Sequence, residues 1–348
     1  MAYTTIDKPS DYFNTKLYTG TGSSNAVTGV GFQPDWTWIK SRTATEAHRI
    51  IDSVRGAEEE IYSNLADAEF NEAQGLKSFD SDGFTVGTTP GYNGNNKNIV
   101  SWNWKAGTSF SNDASSTSVG TIDSTGSVSQ TSGFSICTYP GNGTSGATIK
   151  HGLSTAPKII IIKKKSAGDN WTMLNTNIDL NTHLHLNTTQ AVVSDPMFTN
   201  TAPTTSVFTL DSDGQVNENN NTFVAYCFSE VKGYSKFGSY TGNGNADGTF
   251  VYTGFKPAWI MIKAIDQTGE GWFMFDNTRD VDNAVDKHLT ANLNNAEGSG
   301  SHGMDFVSNG IKIRNGGDGT NTSDKNYIYM AFAEQPFVTS TGVPATAR

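Results

Sequence analysis

Cysteine is scarce in this chain of 348 residues, which contains only Cys137 and Cys227. A disulfide-stabilised secreted domain carries several cysteines at short spacings, whereas these two lie 90 positions apart (227 − 137) in strand-like runs. We therefore interpret both as buried free thiols and expect no disulfide framework.

Positive charge is also in short supply, with 24 Lys and Arg residues against 34 Asp and Glu residues and a formal net charge of -10. Proteins that bind nucleic acid concentrate positive charge in order to neutralise phosphates. This balance argues against nucleic acid as a partner.

Long hydrophobic runs are missing as well. No stretch approaches the roughly 18 apolar residues of a membrane-spanning helix, so we expect no membrane insertion. Residues 1–11 lack a basic segment followed by an apolar one, and we expect no secretory signal there.

Glycine, by contrast, is abundant, with 36 residues in a chain that is also rich in Ser, Thr and Asn. This composition is typical of short strands joined by many turns. Only 17% of the residues are charged, which fits neither a helical bundle nor a charged disordered chain. The length suggests two or three domains, and we predict that they are all-β.

The most informative feature is a threefold internal repeat. A Tyr-x-Gly-x-Gly motif begins at Tyr18, Tyr139 and Tyr240, at intervals of 121 (139 − 18) and 101 (240 − 139) residues. After each motif come a turn, an apolar strand that ends in Lys, a second strand, a hairpin signal and an alternating aromatic strand. Units of this length are too long for propeller blades and fit complete antiparallel sandwiches.

We therefore predict three tandem antiparallel β-sandwich domains at residues 1–107, 130–232 and 233–340. Residues 108–129 are Ser/Thr-rich and are interpreted as a flexible or edge-packed linker, and residues 341–348 as a C-terminal tail. Residues 57–73 have some helical character, but the repeat alignment places a strand in their middle.

Two Asp-Ser-Asp-Gly segments, at Asp80 and Asp211, resemble the start of a calcium loop because alternate carboxylates can converge on a hard cation. Neither has the remaining ligands of an EF-hand loop, and the third repeat has Ser308-Asn309-Gly310 instead. We favour hairpin turns, with positive φ at Gly83, Gly214 and Gly310. Neither a metal nor another cofactor is predicted.

His183 and His185 place two imidazoles on the same face of a strand, as a metal-binding pair would. The neighbouring residues are Asn and Thr, and no third ligand is evident. We favour surface or interface histidines.

Carboxylates that could act in glycoside hydrolysis are confined to Glu58–Glu60, Glu69 and Glu72 in the first unit. Only Glu69 has a counterpart in the repeat, Glu297, which favours a structural role. The common nucleophile, phosphate-loop and zinc-protease motifs are missing. We assign no catalytic residue and predict that the chain is not an enzyme.

Aromatic residues are the better candidates for binding, because Trp and Tyr rings stack on sugars. Trp36 with Trp38, and Trp102 with Trp104, alternate within strands and are predicted to fill the sandwich cores. The loop residues Tyr92, Trp171 and Trp272 are the ligand-binding candidates.

The first hundred residues resemble a repeat found in bacteriophage tail-associated proteins, common in phages of marine bacteria, which look like concanavalin A-like lectin or glucanase domains. The motifs that carry the resemblance are Phe32-Gln-Pro-Asp-Trp-Thr-Trp-Ile-Lys40, Asp52-Ser-Val-Arg-Gly56, Tyr62-Ser-Asn64, Ser78-Phe-Asp-Ser-Asp-Gly-Phe-Thr-Val-Gly87 and Val100-Ser-Trp-Asn-Trp-Lys-Ala-Gly107. The second and third units depart from the Asp-Ser-Val-Arg-Gly motif.

The resemblance implies jelly-roll or concanavalin A-like sandwiches in a virion protein made in the host cytoplasm and released by lysis. The expected function is a tail fibre or tail appendage that adsorbs to a host-surface glycan or docks other tail proteins. A capsid decoration or head-fibre protein and a glycan depolymerase are the alternatives. We expect a homo-oligomer, with a trimer favoured, whose tail from residue 339 onward contacts a neighbouring subunit.

Overall fold

The computed structural model describes residues 2–317 and 319–346. The chain is all-β and is built from antiparallel sheets, as predicted. They group into three units, each with one large and one small sheet. Within the described residues, none of the helices has the length and apolar character needed to cross a membrane.

Unit one contains a six-stranded sheet in the order β1-β9-β3-β4-β5-β6 and a three-stranded sheet in the order β2-β8-β7. It is preceded by a 3₁₀ turn at Pro9–Asp11. Its elements are β1 (Phe13–Thr19), β2 (Asn25–Thr28), β3 (Trp36–Ser41), β4 (Arg49–Asp52), β5 (Glu59–Tyr62), β6 (Phe70–Asn71), β7 (Leu76–Asp80), β8 (Gly83–Val86), α1 (Pro90–Asn93) and β9 (Asn98–Trp104).

Unit two contains an eight-stranded sheet in the order β10-β11-β12-β19-β14-β15-β16-β17 and a two-stranded sheet, β13-β18. Its elements are β10 (Thr108–Asn112), α2 (Ala114–Thr117), β11 (Ser124–Ser129), β12 (Phe134–Pro140), β13 (Ala147–Lys150), β14 (Ile159–Lys164), β15 (Thr172–Asn175), β16 (Thr182–His185), β17 (Val193–Ser194), β18 (Val207–Leu210), α3 (Gly214–Asn217) and β19 (Thr222–Phe228).

Unit three contains a five-stranded sheet in the order β20-β27-β22-β23-β24 and a three-stranded sheet in the order β21-β26-β25. Its elements are β20 (Ser235–Thr241), β21 (Phe250–Tyr252), β22 (Phe255–Ala264), β23 (Trp272–Asp276), β24 (Leu289–Thr290), β25 (Met304–Val307), β26 (Gly310–Ile313) and β27 (Asn326–Pro336).

The repeat inferred from the sequence corresponds to a repeated strand order. In each large sheet the last strand lies between the opening strand and the Lys-terminated strand, and the register is the same: Trp36 pairs with Trp104, Ile159 with Phe228 and Trp259 with Phe332. Residues 57–73 contain strands β5 and β6 and no helix, but these strands flank a loop at residues 63–69, so the strand that the repeat alignment placed in the middle is wrong.

The segment at residues 108–129 is part of unit two. Its two strands extend the large sheet beyond β12, with Thr108 opposite Val128 and Ser127 opposite Ile136. Of the two interpretations, edge packing is therefore right and a flexible linker is wrong. The Ser/Thr-rich composition suggested a linker, but the backbone N–H and C=O groups of Ser and Thr form sheet hydrogen bonds as readily as those of apolar residues.

Each large sheet buries both faces. One face packs on the small sheet of its own unit and forms a separate core, for example around Ile39, Phe84 and Tyr92 in unit one. The opposite faces of all three large sheets meet in one central core. The chain therefore does not consist of three independent sandwiches.

The four tryptophans that we expected in the sandwich core of unit one lie instead in this central core. The Trp36 ring stacks on Tyr226 of unit two at a centroid distance of 4.8 Å, and Trp104 lies 5.6 Å from Phe332 of unit three. Alternation placed each pair correctly on one face of its sheet, but periodicity does not say which face meets the larger core.

The turn prediction was right in part. Gly83 has φ of 147°, whereas Gly214 and Gly310 are not among the residues with positive φ. Gly214 instead starts α3, so the hairpin expected after Leu210 in unit two is wrong. Gly310 is required for a different reason, namely that the backbone of a neighbouring strand passes close to it. A Cβ at this position would lie 2.2 Å from the Val251 carbonyl oxygen.

The Tyr-x-Gly-x-Gly motifs have a structural explanation that sequence reasoning missed. A buried Asn stands five residues before the last large-sheet strand in each unit, and its side-chain oxygen accepts a hydrogen bond from the backbone N–H that follows the first motif glycine. These residues are Asn93, Asn217 and Asn321. The hydroxyl of each motif tyrosine donates to the backbone carbonyl of the residue directly before this Asn. The motif therefore closes a loop.

The described part of the tail folds back on its own chain. Thr339 N–H donates to the Val343 carbonyl, and Ser340 N–H donates to Asp7 at 2.6 Å. The tail is thus held by the N-terminal segment, and its expected contact with a neighbouring subunit has no support from these contacts. Residues 347–348 lie outside the described residues.

Candidate functional site

The three units close into a ring through one backbone contact that recurs at each interface. Glu69 N–H of unit one donates to the Lys165 carbonyl of unit two at 2.9 Å, and Val192 N–H of unit two donates to the Ile265 carbonyl of unit three at 2.8 Å. Glu297 N–H of unit three completes the ring by donating to the Arg42 carbonyl of unit one at 2.8 Å. We name the interfaces one–two, two–three and three–one.

Trp171 and Trp272, two of the predicted ligand-binding residues, belong to these interfaces. Trp171 Nε1 donates to the Tyr62 carbonyl of unit one at 2.8 Å, and Trp272 Nε1 donates to the His185 carbonyl of unit two at 3.0 Å. Both side chains are buried. Their indole rings join units and present no open face to a sugar.

Tyr92, the third predicted ligand-binding residue, is buried beneath the small sheet of unit one. Its hydroxyl donates to Glu60 Oε2 at 2.6 Å, and the Arg49 guanidinium carbon lies 5.2 Å from its ring centroid. Burial, together with the nearby Glu60 carboxylate, raises the pKa of Tyr92 well above its ordinary value. The three candidates are therefore brought into separate packing environments and do not form a common site.

Interface one–two contains a buried charged cluster. Asp52 and Arg55 are fully buried and their side chains are 2.5 Å apart, and Arg55 Nη1 also contacts Glu69 at 2.8 Å. From unit two, the Tyr226 hydroxyl donates to Asp52 Oδ2 at 2.7 Å. Glu69 thus has the structural role that its repetition suggested.

Interface three–one contains the equivalent cluster. Arg279 contacts Asp276 at 2.5 Å and Glu297 at 3.1 Å, and Trp102 Nε1 of unit one donates to Asp276 Oδ2 at 2.9 Å. Arg42 adds a further contact to Glu297 at 2.7 Å. Burial removes these charges from water, and mutual pairing offsets that cost.

A buried lysine ends the corresponding strand in every unit. Burial lowers the pKa of Lys40, Lys163 and Lys263 to about 8 in each case. Each ammonium donates to backbone carbonyls of a nearby loop, and Lys163 reaches across interface one–two to the Ala66 carbonyl at 2.9 Å. The lysines therefore hold loops in place.

The Asp-Ser-Asp segments have hydrogen-bonding roles within turns. Asp82 accepts from Gly29 N–H and Gly31 N–H, and these bonds lower its pKa. Asp80 accepts from the hydroxyls of Ser78 and Thr85, whereas Asp213 caps α3 by accepting from Gln215 N–H. The contacts of Asp80 and Asp82 belong to a hairpin turn, as predicted for unit one, whereas the contact of Asp213 belongs to the helix that replaces the hairpin in unit two.

The cysteine interpretation is confirmed, since Cys137 and Cys227 are free and buried. Burial raises the pKa of Cys137 to about 12 and that of Cys227 well above its ordinary value. Both thiols are therefore protonated at neutral pH and are poor nucleophiles.

An exposed aromatic groove lies on unit three, with a volume of about 370 Å³. The Tyr252 side chain is 54% exposed beside it, and Tyr3 forms part of its wall. Lys236 and Glu230 line the same groove and form an ion pair at 3.2 Å. An open aromatic ring next to polar side chains suits a sugar ring, which has an apolar face and polar edges.

Among residues 2–317 and 319–346, no group of three or more His, Cys, Asp or Glu residues is placed to hold a metal ion. The model of a family described as a domain of unknown function, DUF7483, matches residues 8–336. No curated protein and no solved structure matches the chain.

Proposed function

We propose that this chain, which belongs to the family of the domain of unknown function DUF7483, is a non-enzymatic structural protein of a phage particle. In this proposal it serves as a tail fibre or tail appendage, localised in the virion. It contacts other tail proteins and adsorbs to a host-surface glycan. We further propose that its three units are variants of the jelly-roll or concanavalin A-like sandwich.

The observation that carries the proposal is the closed ring of three units around one central core. Titratable and aromatic groups that could have formed a reactive site are paired with one another inside it, as at Asp52, Arg55 and Glu69. Such pairing favours a rigid body over an active site that must receive a substrate. The resemblance of the first hundred residues to phage tail repeats supplies the biological setting.

The groove at Tyr252 supports adsorption as the role of that rigid body. Its aromatic ring is exposed in a protein that buries all seven of its tryptophans. A weak sugar contact there would gain strength if several copies of the chain, as in the proposed homo-oligomer, bound one surface together.

Labelling of phage particles tests the location. Antibody against the chain, bound to purified particles and seen by electron microscopy, should mark the tail. Label confined to the head would contradict the tail assignment and support capsid decoration or a head fibre. Release of reducing sugar from host polysaccharide by the purified chain would instead support a depolymerase.

Substitution of Tyr252 tests the adsorption role. Tyr252→Ala should weaken binding of the purified chain to the surface polysaccharide of the infected bacterium about tenfold, because the stacking ring is lost. Leu293→Ala is the matched control, since it removes another exposed apolar side chain of unit three, and it should leave binding unchanged. Equal binding by wild type and Tyr252→Ala would exclude this groove as the glycan site.

A further inference from the structure

His183 and His185 lie next to each other inside unit two, on the face of β16 opposite the central core. His183 is fully buried and His185 is 6% exposed, so of the predicted surface or interface positions the surface is wrong, whereas the His185 backbone does contact Trp272 at interface two–three. Their Nε2 atoms face each other at 3.1 Å. Leu184, between them, points to the central core.

The outer nitrogen of each ring faces an acceptor. His183 Nδ1 lies 3.0 Å from the Asp195 carbonyl oxygen, and His185 Nδ1 lies 3.0 Å from Gln190 Oε1. When the ring proton of each histidine lies on Nδ1 and is donated to these acceptors, each Nε2 keeps a lone pair. Metal-binding histidines commonly use the same arrangement, donating the other ring N–H to a carbonyl or carboxylate.

A third acceptor converges on the same point. Gln215 Oε1 lies 2.9 Å from His185 Nε2, and the Thr172 hydroxyl, which donates to that oxygen at 3.3 Å, helps to orient it. With both ring protons on Nδ1, His183 Nε2 and Gln215 Oε1 each lie within hydrogen-bond distance of His185 Nε2, and none of the three atoms carries a hydrogen to share. Such a cluster is stable when a cation lies among its atoms.

We propose that His183, His185 and Gln215 form a binding site for a divalent transition-metal ion of the zinc class. Imidazole nitrogen is a preferred ligand of zinc, nickel and copper. Two nitrogens about 2.1 Å from a tetrahedral zinc ion are roughly 3.4 Å apart, so the observed separation needs little adjustment. Gln215 is only partly buried, and water completes the coordination from that side.

The electrostatic surroundings favour a cation. The charges of Asp195 and Asp213 act on His183 in the sense that favours a positive ion there. The positions equivalent to His183 and His185 hold Glu60 and Tyr62 in unit one, and in unit three only the first is a histidine, so unit two alone has histidine at both positions.

Zinc titration of the full chain, without an affinity tag and after chelator treatment, tests the site. Isothermal titration calorimetry with zinc chloride should give one ion per chain, and anomalous diffraction at the zinc edge should place it between His183 and His185. Lack of saturable binding, or an anomalous peak elsewhere, would overturn the proposal in favour of a direct imidazole–imidazole hydrogen bond.

Two variants sharpen the test. His183→Gln should weaken zinc binding at least 100-fold, and Gln215→Ala about tenfold. Gln215→Ala keeps the proposal testable if His183→Gln does not fold. Gln215 lies in the short helix α3 and is partly exposed, and unit one has the small residue Gly91 at the corresponding position, so alanine should be tolerated there. His288→Gln in unit three is the matched control and should bind zinc within twofold of wild type; equal loss in all three variants would contradict the assignment.

Discussion

Interfaces one–two and two–three share a backbone contact but differ in the chemistry around it. At interface one–two, Asp52 lies between Arg55 of its own unit and Tyr226 of the next. At interface two–three the corresponding positions hold Asn175, Ile178 and Met330, and Val192 replaces the glutamate. All members of the charged cluster are thus replaced together.

The replacement leaves a visible defect. The Asn175 side-chain nitrogen is buried without a hydrogen-bond partner among the described residues. It lines a small cavity of about 10 Å³ together with Met261 and Met330. Because the ring still closes at this interface, backbone pairing, apolar contact and the Trp272 hydrogen bond are sufficient for closure without a charged cluster, and the charged clusters are one of two solutions to the same packing problem.

The largest expected effect comes from breaking a charged cluster in one place. Asp52→Ala leaves the Arg55 guanidinium buried with only Glu69 as an ionic partner, and we expect the free energy of unfolding to fall by about 3–5 kcal/mol. Urea denaturation followed by tryptophan fluorescence measures the loss. Asn175→Ala is the matched control at the apolar interface, where about 1 kcal/mol is expected; equal losses would show that the two interfaces do not differ as proposed.

A smaller effect is expected when the whole cluster is replaced. The variant Asp52→Asn, Arg55→Ile, Glu69→Val and Tyr226→Met gives interface one–two the residues of interface two–three. Since well-packed apolar residues can replace a buried ion pair at little cost, its free energy of unfolding should lie within about 2 kcal/mol of wild type. Denaturation under the same conditions as for Asp52→Ala decides the matter, and a loss as large as that of the single variant would refute the idea of two equivalent solutions.

The smallest effect concerns the buried lysines, which all three units share. The pKa of Lys263 is about 8 in the folded chain against 10.5 for an ordinary lysine. Between these pH values the unfolded chain binds a proton that the folded chain lacks, so this group makes stability rise with pH. The unfolding free energy of wild type minus that of Lys263→Met should therefore become more positive from pH 8 to 10, by at most about 1.4 kcal/mol per pH unit.

Denaturant titrations at pH 8, 9 and 10 measure that slope. Lys236→Met serves as control, because Lys236 is partly exposed and its side chain contacts Glu230 at the surface. A flat difference for Lys263→Met would mean that the buried ammonium loses no proton in this range.

Much of the local structure could be predicted from the sequence. The repeated motifs predicted equivalent strands, and the Asp-Gly and Asn-Gly pairs predicted the hairpins β7–β8 and β25–β26 correctly. In unit two the same signal failed, because Asp213 caps a short helix instead of closing a hairpin. Turn residues favour several local conformations, and the partner strand decides among them.

The candidate sites were less predictable. Tyr92, Trp171 and Trp272 were predicted to lie in loops, yet Tyr92 lies in α1, Trp272 begins β23 and Trp171 directly precedes β15, and all three are buried. The buried Asn residues could have been found from their constant distance of five residues before β9, β19 and β27. The convergence of Gln215 on His185 could not, since 30 residues separate them.

By itself, the sequence determined the strands that recur in all three units, their order and the position of the Tyr-x-Gly-x-Gly motifs, because these depend on side-chain alternation, glycine and proline at nearby positions. The four consecutive isoleucines of β14 also indicate, from the sequence alone, a strand that is buried on both faces. Only the tertiary structure decided what covers the second face. Contacts such as Tyr226 to Asp52 join residues 174 positions apart, and no local pattern specifies a partner at that distance, because it depends on how three complete sheets pack together.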